Sequence, residues 1–478
     1  MSATDDAERV VGPLAAFASL PDWLAAAMQP TSVAESLVRH VPELSEGRLA
    51  LLECAPQRLR AKGSDWLARY ELRVAGPTGE PSRVVLVGRL LPPGAALPRA
   101  ARPAEGRELG DPGWRCVLPD LGLELAAQES DEALPALPSL VRPEPVAALL
   151  ESVLRTAGYD DARITACAPE VVRYKPGSRC TIRVRVQYAD SCRGPSPVVV
   201  KTHQGDKGEW AWAAMTALWQ RPEPWRQAVR LAEPLGYLQE QRVLVQGPVP
   251  EELTIKELAR QAIGSGDAVS LHRLRQELAC TARGLAAVHR SGATYHRTWS
   301  LAEELRDVQE VVERLSRSVP ALAPAAAPLL GVLREGALQV PPDPAVPAHH
   351  DFRPAQVLLH GGRQGFIDFD GACMAEPALD LGRFRAKLRD IGISALGAGP
   401  WQPGRLEENL RLLDDLCEHF LAEYLRHAEV SPARVLLWET CDLFTGLLHA
   451  WTKVRLLRVE PRLTVLVHRI RAQAVDAG

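Results

Sequence analysis

Apolar and polar residues alternate along two segments in the first half of the chain, residues 69–74 and residues 180–187. In the second of these, "CTIRVRVQ", every apolar residue is followed by a polar one. A period of two places successive side chains on opposite faces of a β-strand. The pattern therefore predicts a half-buried strand in each segment.

The two alternating segments belong to a repeat. One copy begins at Pro30 and the other at Pro143, and the tripeptide Cys-Ala-Pro recurs at Cys54 and Cys167, at the same separation of 113 residues. Each copy combines a helical pattern, a turn and two or three stretches with strand character. The repeat predicts two copies of one helix-and-sheet unit.

The two copies differ at the end of their last strand. The second copy has Lys201 there, within "VVVKTH", whereas the sequence comparison places Val87 or Gly88 of "VVLVGRL" at that position. A lysine in an apolar strand needs a partner for its charge. We interpret the second copy as the functional one. The alternative is that Lys201 is only a solvated strand end.

Helical periodicity dominates the second half of the chain. Apolar residues recur at intervals of three and four over residues 274–288 and again over residues 406–424, a spacing typical of amphipathic helices. A shorter stretch, residues 209–219, has the same spacing and follows Lys201. The predicted fold class is α+β, with two helix–sheet units followed by a mainly helical half.

Composition and charge narrow the class of protein. With 478 residues, the chain is too long for one ordinary core, and its apolar (46%) and charged (24%) fractions are typical of a globular protein. A net charge of −3 argues against a general nucleic-acid-binding protein. Nine cysteines without a CxxC pair argue against a zinc site or a disulfide framework. With no signal sequence or membrane span recognisable, we expect a cytoplasmic protein without a membrane partner.

Acidic residues interrupt apolar stretches in the segment "AHHDFRPAQVLLHGGRQGFIDFDG", residues 348–371. Asp351 is followed five positions later by Gln356, and a hairpin pattern then ends at Asp368. In a kinase catalytic loop, a carboxylate base is followed at that distance by an amide metal ligand, and a second metal-binding acid closes the next hairpin. The segment therefore predicts a phosphoryl-transfer site, with Lys201 as the cation that neutralises the phosphates.

Each of these acids also has a purely structural interpretation. The alternative for Asp351 is a helix cap or a turn, and for Asp368 it is a solvated turn at a strand end. For Asp370, the two interpretations, a second metal ligand or a turn-forming residue, are equally supported. The acidic residues between 407 and 418 suggest either a pocket for a cationic substrate or a solvated helix face.

The sequence resembles the aminoglycoside/choline-kinase-like phosphotransferases, a branch of the protein-kinase-like fold. Three motifs carry the resemblance in the family's order: "HHDFRPAQ", "FIDFDG" and "EPALDLGRF". The likeness extends from about Pro143 onward, and the glutamine of the first motif makes bacterial, maltokinase-like sugar kinases the most similar in motif. It implies a bilobal fold with an ATP-binding N-lobe, a mainly helical C-lobe and an additional, duplicated N-lobe-like domain at the N-terminus.

The resemblance implies roles for five residues of these motifs. Asp351 corresponds to the catalytic base, and His349 to the histidine that shapes the catalytic loop. Gln356 and Asp368 correspond to the Mg²⁺ ligands. Asp380 corresponds to an aspartate that braces the loop.

For the ATP cofactor, the resemblance implies a set of binding residues in the second copy of the repeat: Lys201, Glu209, Gly177, Ser178, Gln246 and Gly247. The lysine corresponds to the one that contacts the phosphates, and the glutamate to its partner on the following helix. The two residues of the "KPGSR" turn correspond to the loop over the phosphates, although this turn lacks a GxGxxG pattern. The last two lie where the adenine-binding hinge is expected.

Two positions depart from the family pattern. His350 stands where the family has glycine, and this places a bulky side chain beside Asp351. Gln356 stands where many relatives have asparagine, and its extra methylene still delivers an amide oxygen. Both departures raise the alternative that the site has lost catalysis.

The predicted domains are an N-terminal tail with a short helix (1–28), an N-lobe-like duplicate or cap domain (29–140), an ATP-binding N-lobe (141–248) and a helical catalytic C-lobe (249–478). Only twelve positions separate Asp368 from Asp380, too few for a peptide-docking activation segment. We therefore expect Mg²⁺-ATP-dependent phosphorylation of a hydroxyl on a small polar molecule, such as a sugar or an aminoglycoside. The alternatives are a non-catalytic kinase-like binding or scaffold protein and a kinase of a peptide natural-product precursor.

Overall fold

A computed structural model of the protein describes most of the chain. The described residues are 3–17, 21–62, 65–76, 79–95, 107–111, 113–127, 133–175, 177–190, 192–221, 225–396, 403–454 and 458–476. Helices and strands alternate in the first half of this structure, and helices predominate in the second half.

The α-helices are α1 (Ala3–Val11), α2 (Asp22–Ala26), α3 (Pro30–His40), α4 (Pro42–Ser45), α5 (Leu137–Leu140), α6 (Pro143–Thr156), α7 (Lys207–Trp219), α8 (Trp225–Ala228), α9 (Ile255–Ser265), α10 (Ala268–His289), α11 (Leu301–Ser316), α12 (Leu322–Gln339), α13 (Ala378–Leu396), α14 (Pro403–Leu425), α15 (Pro432–Thr452) and α16 (Val459–Asp476). Short 3₁₀ helices lie at Gly12–Phe17 and Pro354–Gln356.

The strands are β1 (Ala50–Lys62), β2 (Asp65–Ala75), β3 (Pro81–Leu90), β4 (Arg115–Leu118), β5 (Leu123–Ala127), β6 (Ile164–Lys175), β7 (Arg179–Tyr188), β8 (Val198–His203), β9 (Arg230–Leu231), β10 (Pro234–Leu238), β11 (Val243–Gln246), β12 (Leu253–Thr254), β13 (Val346–Ala348), β14 (Val357–His360), β15 (Arg363–Phe366) and β16 (Cys373–Ala375).

The chain divides into two compact units, and each contains segments that are distant in sequence. Unit 1 consists of residues 1–130, 305–332 and 444–478. Unit 2 consists of residues 131–304 and 333–443, and it contains all the predicted site residues. These boundaries differ from the predicted domains, because two short segments of the predicted C-lobe belong to unit 1.

In unit 1, the first copy of the repeat forms a five-stranded antiparallel sheet with the strand order β1-β2-β3-β5-β4. The alternation predicted for residues 69–74 is present in β2, since Tyr70, Leu72 and Val74 are buried. The buried hydroxyl of Tyr70 donates a hydrogen bond of 2.8 Å to the carbonyl oxygen of Ala27. The polar tip of this core residue is thereby satisfied.

In unit 2, the second copy forms another five-stranded sheet with the order β6-β7-β8-β11-β10. If only the five strands of each sheet are counted, in chain order, both sheets have the order first, second, third, fifth, fourth. Residues Cys180, Ile182, Val184 and Val186 of β7 are buried, as the alternation predicts, and they belong to a core that includes residues of α6. The identical strand order confirms the predicted duplication.

Strand pairing corrects the position that corresponds to Lys201. When the sheets are aligned through their Cys-Ala-Pro tripeptides and paired strands, Arg89 of β3 takes the place of Lys201 in β8. The assignment of Val87 or Gly88 to this place is therefore wrong. Arg89 is exposed, whereas Lys201 is buried. Only the second copy carries a buried cation at this position.

The helical part of unit 2 has the two apolar stripes predicted from the sequence. The stripe of α10 is buried at Leu274, Leu278, Ala282, Leu285 and Val288, and that of α14 at Leu410, Leu413, Cys417, Phe420 and Tyr424. The rings of Phe384 and Phe420 stack at a centroid distance of 4.4 Å and join α13 to α14. Together with the sheet of unit 2, these helices confirm the α+β class. Of the helices that the structure describes, none combines the length and apolar character needed to cross a membrane.

Candidate active site

The predicted catalytic loop connects β13 to the hairpin of β14 and β15. His350, in this loop, has a left-handed backbone with φ of 69°. Asp368, which follows the hairpin, has one as well, with φ of 72°. Residues other than glycine adopt this conformation at a cost in free energy and often do so at functional sites. The glycine that the family has at position 350 would adopt it without strain.

Asp380, at the start of α13, holds the beginning of the loop. Its carboxylate accepts hydrogen bonds from the backbone nitrogens of His349 (2.6 Å) and His350 (2.8 Å) and lies 3.1 Å from Nε2 of His289. The residue is fully buried. Burial alone would raise the pKa of Asp380, but these partners, His289 foremost, hold it below its ordinary value. The predicted bracing geometry is therefore present.

His349 connects the loop to the end of the hairpin. Its Nε2 donates a hydrogen bond of 2.9 Å to the carbonyl oxygen of Ile367, the residue before Asp368. Its ring packs against Phe369 and Phe352, with centroid distances of 4.5 and 5.6 Å. The two segments that carry the predicted acids, Asp351 and Asp368, are thus joined by this histidine.

His350 is accommodated by a second set of contacts. The guanidinium of Arg383 donates to the carbonyl oxygen of His350 and lies 3.3 Å from its Nδ1. The ring of Trp299 meets the histidine ring edge-on at a centroid distance of 5.3 Å. Burial and the positive charge of Arg383 hold the pKa of His350 well below its ordinary value, so the imidazole is neutral.

Asp351, the predicted base, is the accessible member of the loop. Its side chain is 40% exposed, and its carboxylate lies 2.9 Å from the guanidinium of Arg353. Its backbone nitrogen donates to the carbonyl oxygen of His349 at 2.9 Å. The carboxylate is therefore held on a fixed loop but remains open to a substrate.

Asp368 and Asp370 lie in a cluster of charges with two cations from the sheet. Nζ of Lys201 is 2.9 Å from Oδ1 of Asp368 and 3.1 Å from Oδ1 of Asp370. The guanidinium of Arg179 is 2.6 Å from Oδ2 of Asp370 and 3.3 Å from Oδ1 of Asp368. Two buried negative charges are thus matched by two positive charges.

Two further hydrogen-bonding side chains complete this cluster. Nε2 of Gln356 donates to Oδ2 of Asp368 at 3.0 Å, and Nε2 of His203 lies 3.0 Å from Oδ2 of Asp370. The structure therefore brings together the predicted lysine and both predicted metal ligands. It also shows that Asp370 faces the same point as Asp368.

The cluster keeps both of its carboxylates ionised. Burial alone would raise the pKa of Asp368 and of Asp370, but the charge of Lys201, with that of Arg179, lowers both below the ordinary value. In the same way, burial would lower the pKa of Lys201, but the two carboxylates raise it. All these groups are charged at neutral pH.

The predicted ion pair between Lys201 and Glu209 is not formed. Among the described residues, the ion partners of Lys201 are Asp368 and Asp370. Glu209 lies in the first turn of α7 and is exposed. The helix does follow Lys201 as predicted, but the two acids after the hairpin take the place expected for this glutamate.

The predicted phosphate turn joins β6 to β7. Gly177 has φ of 64°, and the backbone nitrogen of Ser178 donates to the carbonyl oxygen of Lys175 at 3.1 Å. Partial burial, followed by the charges of Arg179 and Arg173, lowers the pKa of Lys175 to about 8. Positive charge is therefore concentrated beside this turn.

The predicted hinge lies at the end of β11, the strand that pairs with the strand of Lys201. Gln246 is buried and pairs with Val199 of β8. The backbone nitrogen of Gly247 donates to the carbonyl oxygen of Glu233 at 2.8 Å. The chain then continues into β12 and the helices of the C-lobe.

The acidic residues between 407 and 418 do not form a pocket for a cationic substrate. The carboxylate of Asp414 is 2.7 Å from the guanidinium of Arg389, and that of Glu418 is 2.7 Å from that of Arg385. Both arginines are buried. These acids neutralise internal charges, and Glu407 forms an exposed ion pair with Arg411.

Sequence reasoning missed Arg179 and His203. Both follow from strand register, because Arg179 pairs with His203 and Lys201 lies two residues before His203 on the same face. The signal was present in the alternation of β7, whose polar face begins at Arg179. Extending that face to the neighbouring strand would have placed all three residues together.

Comparison with known proteins gives one family match. Residues 188–399 match the sequence profile of the Phosphotransferase enzyme family. The predicted family resemblance is confirmed. The match covers β8, the catalytic loop and the hairpin, and it also confirms the prediction of a kinase-type enzyme with a protein-kinase-like fold. A search of curated proteins gave no significant match.

Solved structures of small-molecule kinases are similar in fold. A glucosamine kinase in complex with glucosamine, ADP and inorganic phosphate is 16% identical, with a TM-score of 0.45, and the alignment covers 93% of this chain and 98% of that one. A choline/ethanolamine kinase family protein from Mesorhizobium loti is 15% identical, with a TM-score of 0.41 and coverages of 69% and 99%. At these values, neither structure determines what this chain phosphorylates.

Proposed function

We propose that the protein transfers the γ-phosphoryl group of ATP to a hydroxyl of a small polar molecule such as a sugar or an aminoglycoside. The observation that carries this proposal is the distance of 2.9 Å between Nζ of Lys201 and Oδ1 of Asp368. These residues come from different lobes and are 167 positions apart in the sequence. A strand lysine opposite a hairpin acid is the arrangement that binds a metal–triphosphate in kinases.

The residues around Asp368 fit a magnesium ion. Mg²⁺ prefers oxygen ligands and binds through one or two carboxylates together with substrate phosphates. Asp368 and Asp370 are ionised, and the side-chain amide of Gln356, whose nitrogen donates to Oδ2 of Asp368, would supply its oxygen to the ion. Within the described part of the chain, no group of three or more His, Cys, Asp or Glu side chains is arranged around a metal position. Such a small number of protein ligands is expected where substrate phosphates supply the remaining ligands of the ion.

In this proposal, Asp351 orients the acceptor hydroxyl and receives its proton. Its exposed carboxylate is fixed through the backbone hydrogen bonds that Asp380 accepts from the preceding two residues. When bound, Mg²⁺ would neutralise charge on the phosphates. Lys201 would contribute positive charge from the opposite side, so that the rate depends on positioning and charge neutralisation.

A small acceptor fits the short connection after the hairpin. Helix α13 begins at Ala378, ten positions after Asp368. The intervening residues include the short strand β16, which pairs with β13. This segment is too short to form the platform on which protein kinases dock peptides. We also place the reaction in the cytoplasm, because nine cysteines without a CxxC pair suit a chain of reduced thiols.

A screen for acceptor-dependent ADP release tests this function. Sugars, aminoglycosides and amino alcohols are added to the wild-type protein and to the Asp351→Ala variant, with Mg²⁺-ATP present. We expect one acceptor class to stimulate ADP release by the wild type, and the variant to lose at least about a hundredfold in rate. Because Asp351 does not contact Asp368 or Lys201 directly, ADP affinity should be unchanged. Normal turnover by the variant would contradict the proposed role of Asp351.

The second candidate is a binding or scaffold protein that does not catalyse transfer. The observation that favours it is the engagement of Asp368 and Asp370 by Lys201 and Arg179. A thermal-shift titration with ATP, with and without Mg²⁺, separates the two functions. Stabilisation that requires Mg²⁺ supports the kinase, and stabilisation by ATP alone, or none, supports the scaffold.

A further inference from the structure

Arg179 is more deeply involved in the acid cluster than its position at a strand end suggests. Its Nη1 is 2.6 Å from Oδ2 of Asp370 and 3.3 Å from Oδ1 of Asp368, and its Nη2 is 3.4 Å from Oδ2 of Asp368. Its side chain is 15% exposed. The guanidinium thus bridges two carboxylates on the opposite side of the site.

Together the cations occupy every oxygen of the two acids. Oδ1 of Asp368 and Oδ1 of Asp370 accept from Lys201, while both Oδ2 atoms lie within 3.4 Å of Arg179. A divalent ion on Asp368 needs at least one of these oxygens. Because a metal ion and a guanidinium repel each other, the ion competes with Arg179 for these oxygens.

The location of Arg179 gives its guanidinium another partner. It is the first residue of β7, directly after the turn of Gly177 and Ser178, and its cross-strand partner is His203. Its long side chain therefore starts beside the turn that the family places over the phosphates. A planar guanidinium with parallel N–H groups is well suited to bind phosphate oxygens in pairs.

We propose that Arg179 is a second phosphate-binding residue, which holds Asp368 and Asp370 in the free protein and moves to the nucleotide phosphates when metal and nucleotide bind. This inference rests on the proposed function, because it concerns the same nucleotide. It adds a residue that lies outside the matched region of the family, residues 188–399. It also gives both acids a second cationic partner, beside Lys201, in the free protein.

The proposal predicts two opposite effects of removing the guanidinium. Nucleotide binding weakens, because a charge-assisted contact to the phosphates is lost. Metal binding without nucleotide strengthens, because the ion no longer competes with Arg179 for the carboxylates. A residue that only stabilises the fold would not produce this pair of changes.

The test compares Arg179→Ala with Arg183→Ala as a matched control. Arg183 lies on the same strand, is exposed, and pairs with Glu170 at 2.8 Å. The affinity for ADP with saturating Mg²⁺ is measured by calorimetry, and the affinity for Mn²⁺ without nucleotide is measured by electron paramagnetic resonance. For Arg179→Ala we expect ADP binding about ten- to hundredfold weaker and Mn²⁺ binding tighter, with the control unchanged.

A third variant, Arg179→Lys, covers the case in which the alanine variant does not fold. It keeps the charge but loses the paired N–H groups, so ADP affinity should fall by less than in the alanine variant. Wild-type ADP affinity in the Arg179 variants, or an equal loss in Arg183→Ala, would overturn the role of Arg179 and leave the proposed function intact. Absence of Mg²⁺-dependent ADP binding in the wild type would overturn both.

Discussion

At the residue scale, the catalytic loop depends on the single buried carboxylate of Asp380. It accepts from two successive backbone nitrogens, those of His349 and His350, and the next residue is Asp351. The left-handed φ of His350 turns the chain sharply between them. The position of the proposed base is therefore set by a residue that is 29 positions further along the chain.

We predict that Asp380→Asn lowers the turnover number for ATP by about tenfold or more, with little change in the KM for ATP. The amide cannot accept from both backbone nitrogens, so the loop shifts and Asp351 loses its alignment. The nucleotide cluster around Lys201 and Asp368 does not contact Asp380 directly. Steady-state kinetics with the acceptor from the screen measure both constants.

Asp161→Asn serves as the control for Asp380→Asn. Asp161 is an exposed turn residue after α6, and both kinetic constants should equal those of the wild type. A rise in the KM for ATP with an unchanged turnover number in Asp380→Asn would show that this residue acts on nucleotide binding instead of on the loop.

Several site residues could be predicted because their signals are local. Asp351, Gln356 and Asp368 lie within eighteen positions, and their spacing reflects one loop and one hairpin. Arg179 and His203 could not be found in this way. The alternation of β7 places Arg179 on its polar face, but the proximity of both residues to Asp370 also depends on lobe packing, which no local pattern records.

At the element scale, α13 connects the site to the interior of the C-lobe. Its residue Arg383 contacts His350 of the catalytic loop. Further along, Arg385 and Arg389 are buried and donate to Oε2 (2.8 Å) and Oε1 (2.5 Å) of Glu439 on α15. One buried carboxylate is thus shared by two buried cations, whose second partners are Asp414 and Glu418, and it joins two helices.

We predict that Glu439→Gln lowers the free energy of unfolding by about 3–5 kcal/mol. The substitution keeps the shape of the side chain but leaves two buried guanidinium groups without the charge of their shared partner. Urea unfolding followed by circular dichroism measures the loss.

Glu407→Gln is the matched control for this variant. Glu407 and Arg411 form an exposed pair at 3.0 Å on α14, and such pairs contribute little to stability. The control should unfold at the same urea concentration as the wild type. Equal stability of Glu439→Gln and the wild type would contradict the assignment of a structural role to this buried ion pair.

The spacing of apolar residues and the internal repeat of the sequence were sufficient to predict the main strands and helices. Alternation predicted β2 and β7, helical spacing predicted α10 and α14, and the repeat predicted two related sheets. The expected pair of Lys201 with Glu209 was wrong, because Lys201 pairs with Asp368 and Asp370, which no local pattern connects to its strand. Likewise, only the strand register showed that Arg89 corresponds to Lys201.

At the scale of the whole molecule, the proposed site residues all belong to unit 2, which contains both the second sheet and the helices that follow it. Unit 1 combines the duplicated sheet with residues 305–332 and 444–478. No local sequence pattern predicted this combination, because it depends on tertiary contacts between segments hundreds of residues apart. The duplicate lacks a buried cation at the position of Lys201, which agrees with a non-catalytic role.

The central claim is that Asp368 and Lys201 face one magnesium–nucleotide, and the dependence of ADP affinity on Mg²⁺ tests it most directly. Calorimetric titrations of the wild type and of Asp368→Asn are compared in excess Mg²⁺ and in a metal chelator. We predict that Mg²⁺ tightens ADP binding to the wild type and has little effect on the variant, because the variant lacks the charged ligand. Wild-type ADP binding that is insensitive to Mg²⁺, or an undiminished Mg²⁺ effect in Asp368→Asn, would contradict the claim.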